Sequence, residues 1–573
     1  MFSAANFTSL LASLRLAPAL ERPDIAGPVT VQAFVQTSSE SNNACAFQPY
    51  PSPSVNIPQF APYDPKISSI YRYRQQQSVN LGSWFVQENW MVPSIFTCAG
   101  GNKAGEHDVA SGWGNTTVAR QILERHWDTW IQPSDFAYLR SIGINTVRLP
   151  IGFWSLGPSF MQGTPFEDVA QVYMNSWPRV LQAIKTAELY GIGVLVDLHG
   201  APGSQNGQSH SGTSDGVVGL FKNESYMNKT IDVLAYLTEQ LTCVNNVVGI
   251  QILNEPVNDP ILPSFYNRTL DVLRSVNNKS ASFPFYIHDA FNLGQYSAFV
   301  ANRDDFLVED HHSYFVYTAS DTTESAQGHT NDVNTTIAKQ LTTASNSERG
   351  NLVLDEWSCA LTDKSLAQAS NPAAAQQEFC TTQMDVYAAA SAGWAFWSYY
   401  MEDCQDNGGW CFKQAVNNSL PPTFFSYPTI ASAPRDPLAP LGDAMSYTLA
   451  NLSASAPISQ IVQLALMPND ADHPTQGTSP FNRLDSITAN QAAIARGYQD
   501  GFTTSKIFAQ YGMSRLGFKG QYIADSAVEL VQAQVIGDED QSIYGTWFKR
   551  GLSDGEAQVI AAISNTVPVY SHS

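Results

Sequence analysis

Short apolar runs alternate with longer amphipathic stretches between about residues 81 and 400. The runs at 82–87, 144–149, 192–197, 247–253, 284–288, 306–310, 351–355 and 394–398 have the length of strands. Between them, helical spacing is legible. Ser134 caps a stretch that ends at Gly143, and residues 176–190 form another that stops at Gly191. Eight strand-length runs joined by long crossovers predict an α/β fold, a closed (β/α)8 TIM barrel. A doubly wound open sheet is the structural alternative, but the glycine-rich phosphate loop it calls for after an early strand is not found.

The flanks read differently. Residues 1–65 are rich in Ser, Pro, Asn and Ala, with closely spaced prolines at 51, 53, 58, 62 and 65, and predict an extended N-terminal arm. The barrel is expected to occupy 66–427. After Pro421 and Pro422 its pattern fades. Residues 428–480 are loop-rich, and 489–511, 524–534 and 553–564 are helical in pattern. The region 428–573 is therefore a mostly helical C-terminal extension without a catalytic constellation, placed where it could reshape the rim of the cleft.

Composition narrows the partners. Against 51 acidic residues stand only 30 basic ones in 573, a net charge of −21, so nucleic acid is not an expected partner. No apolar run reaches the roughly 18 residues needed to span a bilayer. Asn-X-Ser/Thr triplets at Asn6, Asn115, Asn223, Asn228, Asn267, Asn278, Asn334, Asn417 and Asn451 favour a glycosylating pathway. The expectation is a secreted or cell-wall monomer, although residues 2–20 show no evident export signal because Arg15 interrupts them. Of seven cysteines, Cys404 and Cys411 flank a Gly-Gly turn and are the most plausible local bridge. Neither a Cys-X-X-Cys pair nor a His-rich cluster points to a metal, and no cofactor is expected.

The candidate chemistry sits at strand ends. Glu255 in Ile-Leu-Asn-Glu-Pro and Glu356 in Val-Leu-Asp-Glu-Trp each follow an apolar run, and carboxylates there point into the mouth of a barrel. Two from different strands are the minimum equipment for cleaving a glycosidic bond. Arg148 lies on a buried strand, where it needs a carboxylate partner. His199 precedes a Gly-rich loop, His312 and Tyr314 are two apart and share one side of an extended strand, and Trp397 belongs to an aromatic floor.

In their order along the chain, these segments resemble glycoside hydrolase family 5, and within it the fungal exo-β-1,3-glucanases. The matching segments are Trp84 to Trp90, the Arg148 strand, Asp197-Leu-His-Gly-Ala-Pro-Gly-Ser-Gln-Asn-Gly207, Leu253 to Pro256, His288 to Phe291, the His312/Tyr314 pair, Asp355 to Ser358 and Trp394 to Trp397. The resemblance covers about residues 66–427. It implies that Glu255 is the acid/base and Glu356 the nucleophile of a retaining reaction on β-glucan. It also implies that His199, Asn254, His312, Tyr314, Arg148 and Trp397 line the subsite of the cleaved sugar, and that Glu88 binds hydroxyls at the non-reducing end. Arg148 and Tyr314 should then hold the Glu356 pKa down, and a drier setting or the negative partner should raise that of Glu255.

Two departures stand out. After Gly207 the family usually carries Phe-Asp-Asn-Ser-Gly, whereas Gln208-Ser209-His210-Ser211-Gly212 follows here, so a phenylalanine clamp is missing and the polar contact of the Asn falls to His210. Asn89 stands in place of the usual Pro after Glu88. The leading expectation is an exo-β-1,3-glucanase. The alternatives are a β-1,6-glucanase or β-glucosidase of the same family, or a non-catalytic protein that binds wall glucan.

Overall fold

Val, Leu and Ile dominate the central runs, and such side chains pack well on a pleated surface buried on both faces. They form β2 (Thr146–Gly152), β3 (Gly193–Gly200), β4 (Val247–Gln251), β5 (Phe285–His288), β6 (Leu307–Ser313), β7 (Leu352–Trp357) and β8 (Gly393–Phe396). The computed structural model describes residues 45–427, 449, 451–454, 456–465 and 480–566. Its strands pair in parallel and in chain order into a closed barrel. Gly143 and Gly191, at φ of 92° and 68°, end the helices Pro133–Ser141 and Ser176–Leu189 in the left-handed conformation that glycine adopts without cost.

The first strand differs from expectation. β1 is Gln76–Asn80, and the apolar run 82–87 is the loop that follows it, with Trp84 and Phe85 buried. The sequence Gln-Gln-Ser-Val-Asn hides its strand character because its side chains serve hydrogen bonds inside the barrel. Gln76 Nε2 donates to the Tyr286 hydroxyl at 2.9 Å, and Asn80 Nδ2 to the Asp355 carbonyl at 2.8 Å. The other seven strands overlap their predicted runs with ends shifted by a few residues.

The C-terminal helices Pro480–Gln510, Lys519–Gln532 and Gln541–Thr566 dock at the end of the barrel where the strands begin. Phe518 joins Leu195, Val248, Tyr286, Phe306, Val308, Val353 and Ala392 in one cluster that closes that end. The backbone seals it further: Gln75 N donates to Arg515 O at 2.7 Å and Gly517 N to Tyr73 O at 2.8 Å. The described part of the extension thus lies opposite the cleft and does not shape its rim. Disulfides join Cys45 to Cys98, Cys359 to Cys380 and Cys404 to Cys411, while Cys243 is free.

Candidate active site

Register places polar side chains on adjacent strands at one height. Asn80 of β1 faces Arg148 of β2, and His312 of β6 faces Glu356 of β7. Arg148 is fully buried, and each of its five N–H groups has a partner. Nε donates to Gln251 Oε1 (2.9 Å), and Nη1 to Asn80 Oδ1 (3.0 Å) and Glu356 Oε1 (2.8 Å). Nη2 reaches Asn254 Oδ1 (2.8 Å) and Asp197 Oδ2 (3.0 Å). A planar guanidinium satisfied in this way fixes the position of every acceptor around it.

Glu356 receives the Tyr314 hydroxyl on its other oxygen at 2.8 Å. Glu255 lies in the turn after β4 at φ 42°, a conformation that a non-glycine residue holds only where its surroundings impose it. Asn206 Nδ2 helps by donating to the Glu255 carbonyl at 3.1 Å. His312 sits between the two carboxyls. Its Nδ1 is 2.7 Å from Glu255 Oε1 and 3.3 Å from Glu356 Oε2, and its Nε2 is 3.0 Å from Asp310 Oδ2.

These contacts set the protonation pattern. Burial pushes the His312 pKa down, but the charges of Glu356 and Asp310 outweigh it, and the imidazole is held well above its usual value. Burial also opposes ionisation of Glu255, yet the hydrogen bond and charge of His312 prevail and hold it below the usual carboxylate range. Glu356 is pushed up to about 7 by burial and by the charge of Glu255, against the pull of His312, Arg148 and Tyr314. This inverts the expectation drawn from sequence, in which Glu356 was the depressed group. The reason is His312, which lies closer to Glu255 than to Glu356. Two carboxyls this close titrate as a unit, and the pair keeps one proton up to about pH 7.

The remaining predicted residues surround this centre. His199 Nδ1 lies 2.6 Å from Asp197 Oδ2, and its ring stacks on Trp397 at 5.6 Å between centroids. Asn254 Nδ2 faces His199 Nε2 at 3.3 Å. His210 Nε2 is 3.6 Å from Glu255 Oε2. Glu88 accepts from Trp90 Nε1 at 2.8 Å, and burial, with the charges of Glu356 and Glu255, pushes it up to about 8. All ten residues singled out in the sequence thus converge on one end of the barrel.

Several neighbours were not singled out. Asp310, Gln251 and Asn80 complete the buried network, and their only signal is a polar side chain within a strand. Trp90, Tyr317 and Phe291 are large exposed aromatics, and Trp410 packs edge-on to Trp90 at 5.5 Å and against Tyr314 at 5.4 Å. Phe291 stands 5.0 Å from the His288 ring, so an exposed phenylalanine does border the site despite the changed loop after Gly207. Ligand atoms of Glu255, His288 and His312 lie within 4.8 Å of one another. Both nitrogens of His312 already face carboxylates, Nδ1 toward Glu255 and Nε2 toward Asp310, which occupies the ring atoms a metal would need.

A closed parallel barrel with two neighbouring carboxyls and aromatic rims at the carboxyl ends of its strands has the architecture of a carbohydrate-cleaving enzyme. The chain belongs to glycosyl hydrolase family 5: the description "Cellulase (glycosyl hydrolase family 5)" matches residues 109–403. It is 33% identical over 364 residues to glucan 1,3-beta-glucosidase 3 of Schizosaccharomyces pombe, covering 61% of this chain and 74% of that one. A glucan 1,3-beta-glucosidase of Kluyveromyces lactis is 28% identical over 404 residues, covering 61% and 89%. Among solved structures, the rutinosidase from Aspergillus niger is similar with a TM-score of 0.49 and 18% identity, over 61% of this chain and 97% of that one.

Proposed function

We propose that this glycoside hydrolase releases glucose from β-1,3-linked glucan by double displacement, with Glu356 as nucleophile and Glu255 as acid/base. The observation that carries the double displacement is the shared contact of one nitrogen, His312 Nδ1, with both carboxyls. A shared nitrogen keeps the two carboxyls near each other, which favours the close pairing that covalent catalysis uses, generally about 5–5.5 Å, over the wider gap that admits a water. Arg148 and Tyr314 hold both Glu356 oxygens, so the attacking carboxylate is oriented before substrate arrives.

In the first step Glu356 attacks the anomeric carbon while Glu255 protonates the leaving oxygen. In the second, Glu255 takes a proton from water, which releases the sugar from Glu356. The resting proton lies toward Glu356, and His312 provides its route. His312 gives its Nδ1 proton to Glu255 Oε1 and receives another from Glu356 Oε2. It remains a cation, with Glu255 protonated and Glu356 ionised.

The linkage reading rests on the relatives' printed names together with the His199 loop. We place the protein outside the cell or in the wall. Asn115, Asn228, Asn267, Asn278, Asn334, Asn417 and Asn451 are all exposed, as glycan acceptors must be, and no helix among the described residues is long and apolar enough to cross a membrane. Product analysis of the purified protein tests the substrate: glucose as the product from laminarin supports β-1,3 exo-cleavage, and activity on pustulan alone overturns it in favour of β-1,6-glucan.

A further inference from the structure

Glu309 of β6 points the opposite way from its neighbour Asp310, because side chains alternate along a strand. It is fully buried and meets the helix Leu293–Ala301 at Ser297. The hydrogen bonds there show which groups hold protons. The Ser297 hydroxyl has one hydrogen and two oxygen neighbours, the Leu293 carbonyl at 2.5 Å and Glu309 Oε2 at 2.7 Å. A carbonyl cannot donate, so the hydroxyl hydrogen goes to Leu293. Glu309 Oε2 must then supply the hydrogen of the other contact, which requires Glu309 to be a carboxylic acid.

Glu348, also fully buried, caps the end of the helix Ala338–Ser347 and extends this chain of protons. Its carboxyl hydrogen-bonds that of Glu309. Among the described residues, Glu309 Oε1 and both Glu348 oxygens meet no N–H or hydroxyl donor. Two carboxyls make such a contact only through a proton, and because that of Glu309 lies on Oε2, Glu348 provides it. Each donor from Glu348 through Glu309 and Ser297 to the Leu293 carbonyl thus has its acceptor, and the chain is neutral throughout. Burial raises both pKa values well above the carboxylate range. Asp289, from the turn after β5, and Asp310 add to this at Glu309, and Glu309 and Asp289 add to it at Glu348. Arg349 pulls Glu348 the other way. The helix Leu293–Ala301 brings no charged side chain, and Asp289 is itself held by His311 Nδ1 at 2.6 Å.

We propose that Glu309 and Glu348 form a proton-held joint between the barrel and the C-terminal helices, closed while both are carboxylic acids and opened by their ionisation as the pH rises. Glu348 begins the turn on which the extension sits. Asn351 N donates to the Glu348 carbonyl at 3.1 Å. Asn351 Nδ2 at 2.9 Å and Arg349 Nε at 3.3 Å both donate to Gln521 Oε1 of the helix Lys519–Gln532. Gly520 lies so close that a Cβ on it would stand 2.1 Å from the Arg349 carbonyl oxygen. A carboxylate at Glu348 has no hydrogen-bond donor in this interior, so it leaves for water and draws the turn away from Gln521. Folding holds these protons more tightly than the unfolded chain does. The joint is therefore whole below the unfolded carboxyl value of about 4.3, and its contribution is lost as pH rises toward the folded values.

The test compares wild type with the double variant Glu309→Gln/Glu348→Gln. Each amide offers an oxygen to one neighbour and an N–H to the next, so the same chain forms with nothing to titrate. The variant's melting temperature should match wild type at pH 4 and exceed it by about 3 °C or more at pH 8. A gap of the same size at both pH values overturns the proposal. Hydrogen exchange on the wild-type protein is the second measurement, and it needs no variant to fold. Between pH 5 and pH 8, after correction for the intrinsic exchange rate, protection of residues 345–351 and 519–532 should fall about tenfold relative to the helix Ser176–Leu189. An equal change in all three segments overturns the joint. Neither readout uses turnover, so both stand apart from the reaction assigned to Glu255 and Glu356.

Discussion

His312 and Glu356 are register partners across β6 and β7, and the imidazole Nδ1 lies 3.3 Å from the Glu356 carboxylate. The strand pairing itself therefore delivers a cation to the proposed nucleophile, with no loop to position it. The same nitrogen contacts Glu255, so its removal affects both roles. His312→Gln should lower kcat by about 10²–10³, comparable to losing one preorganised donor at a site of developing charge. Steady-state kinetics with a chromogenic β-glucoside checks this, and a change confined to KM would reduce His312 to a substrate ligand.

The shared proton fixes the alkaline side of the pH profile. Glu356 has a raised pKa of about 7, so the pair retains its last proton below that value and loses it above. A general acid without its proton cannot serve the leaving group, so kcat/KM should fall about tenfold per unit above pH 7. The sign follows from the raised value: activity is present below the pKa and is lost as pH rises through it. A profile on 4-methoxyphenyl β-glucoside that stays flat to pH 9 would contradict the pairing.

Arg148 holds the polar interior together. Replacing it with Met leaves Glu356, Asp197, Asn80, Gln251 and Asn254 without a donor that each now uses. Breaking a buried ion pair from one side costs about 3–5 kcal/mol. Arg148→Lys should recover little of it, because an ammonium cannot fork to five acceptors. Urea denaturation of both variants provides the measurement.

What the sequence revealed and what it hid divide along one line. Glu255, Glu356, Arg148 and His199 stood out because a polar side chain interrupts an apolar run, and interruption is visible in one dimension. β1 escapes the apolar pattern because Gln76, Ser78 and Asn80 are polar, and the partners of Gln76 and Asn80 come from strands hundreds of residues away. The sequence implies a sugar ligand in His312, but its bridging of two carboxyls depends on register, which no single strand encodes. The inverted order of the two carboxyl pKa values followed from that. The site of the C-terminal helices was likewise hidden, because Phe518 has no local sign that its partners are Tyr286 and Phe306.

Phe518 predicts a separation of stability from activity. Its side chain is fully buried among the residues that begin the strands, at the end remote from Glu255 and Glu356. Phe518→Ala should destabilise the protein by about 3–5 kcal/mol through lost burial and the cavity left behind. Molecules that remain folded should turn over at the wild-type rate. Thermal denaturation paired with active-site-normalised kcat distinguishes this from a role for the extension in the cleft, which would lower both.

The two long C-terminal helices make the last prediction, and its sign is unusual. In a helix interior, Gly to Ala normally stabilises by about 0.5–1 kcal/mol. Gly497, Gly501, Gly551 and Gly555 break that rule because they form the seam where Pro480–Gln510 meets Gln541–Thr566. A Cβ on Gly501 would lie 2.0 Å from the Phe548 carbonyl oxygen, and one on Gly551 2.0 Å from that of Tyr498. Backbone cannot yield as a flexible side chain can, so Gly501→Ala should cost about 1–3 kcal/mol through overpacking. Gly294, in the barrel helix Leu293–Ala301, has nothing within 4 Å of its added Cβ and serves as the control. Gly294→Ala should raise the melting temperature while Gly501→Ala lowers it, and a rise in both would mean that the two helices do not pack backbone to backbone.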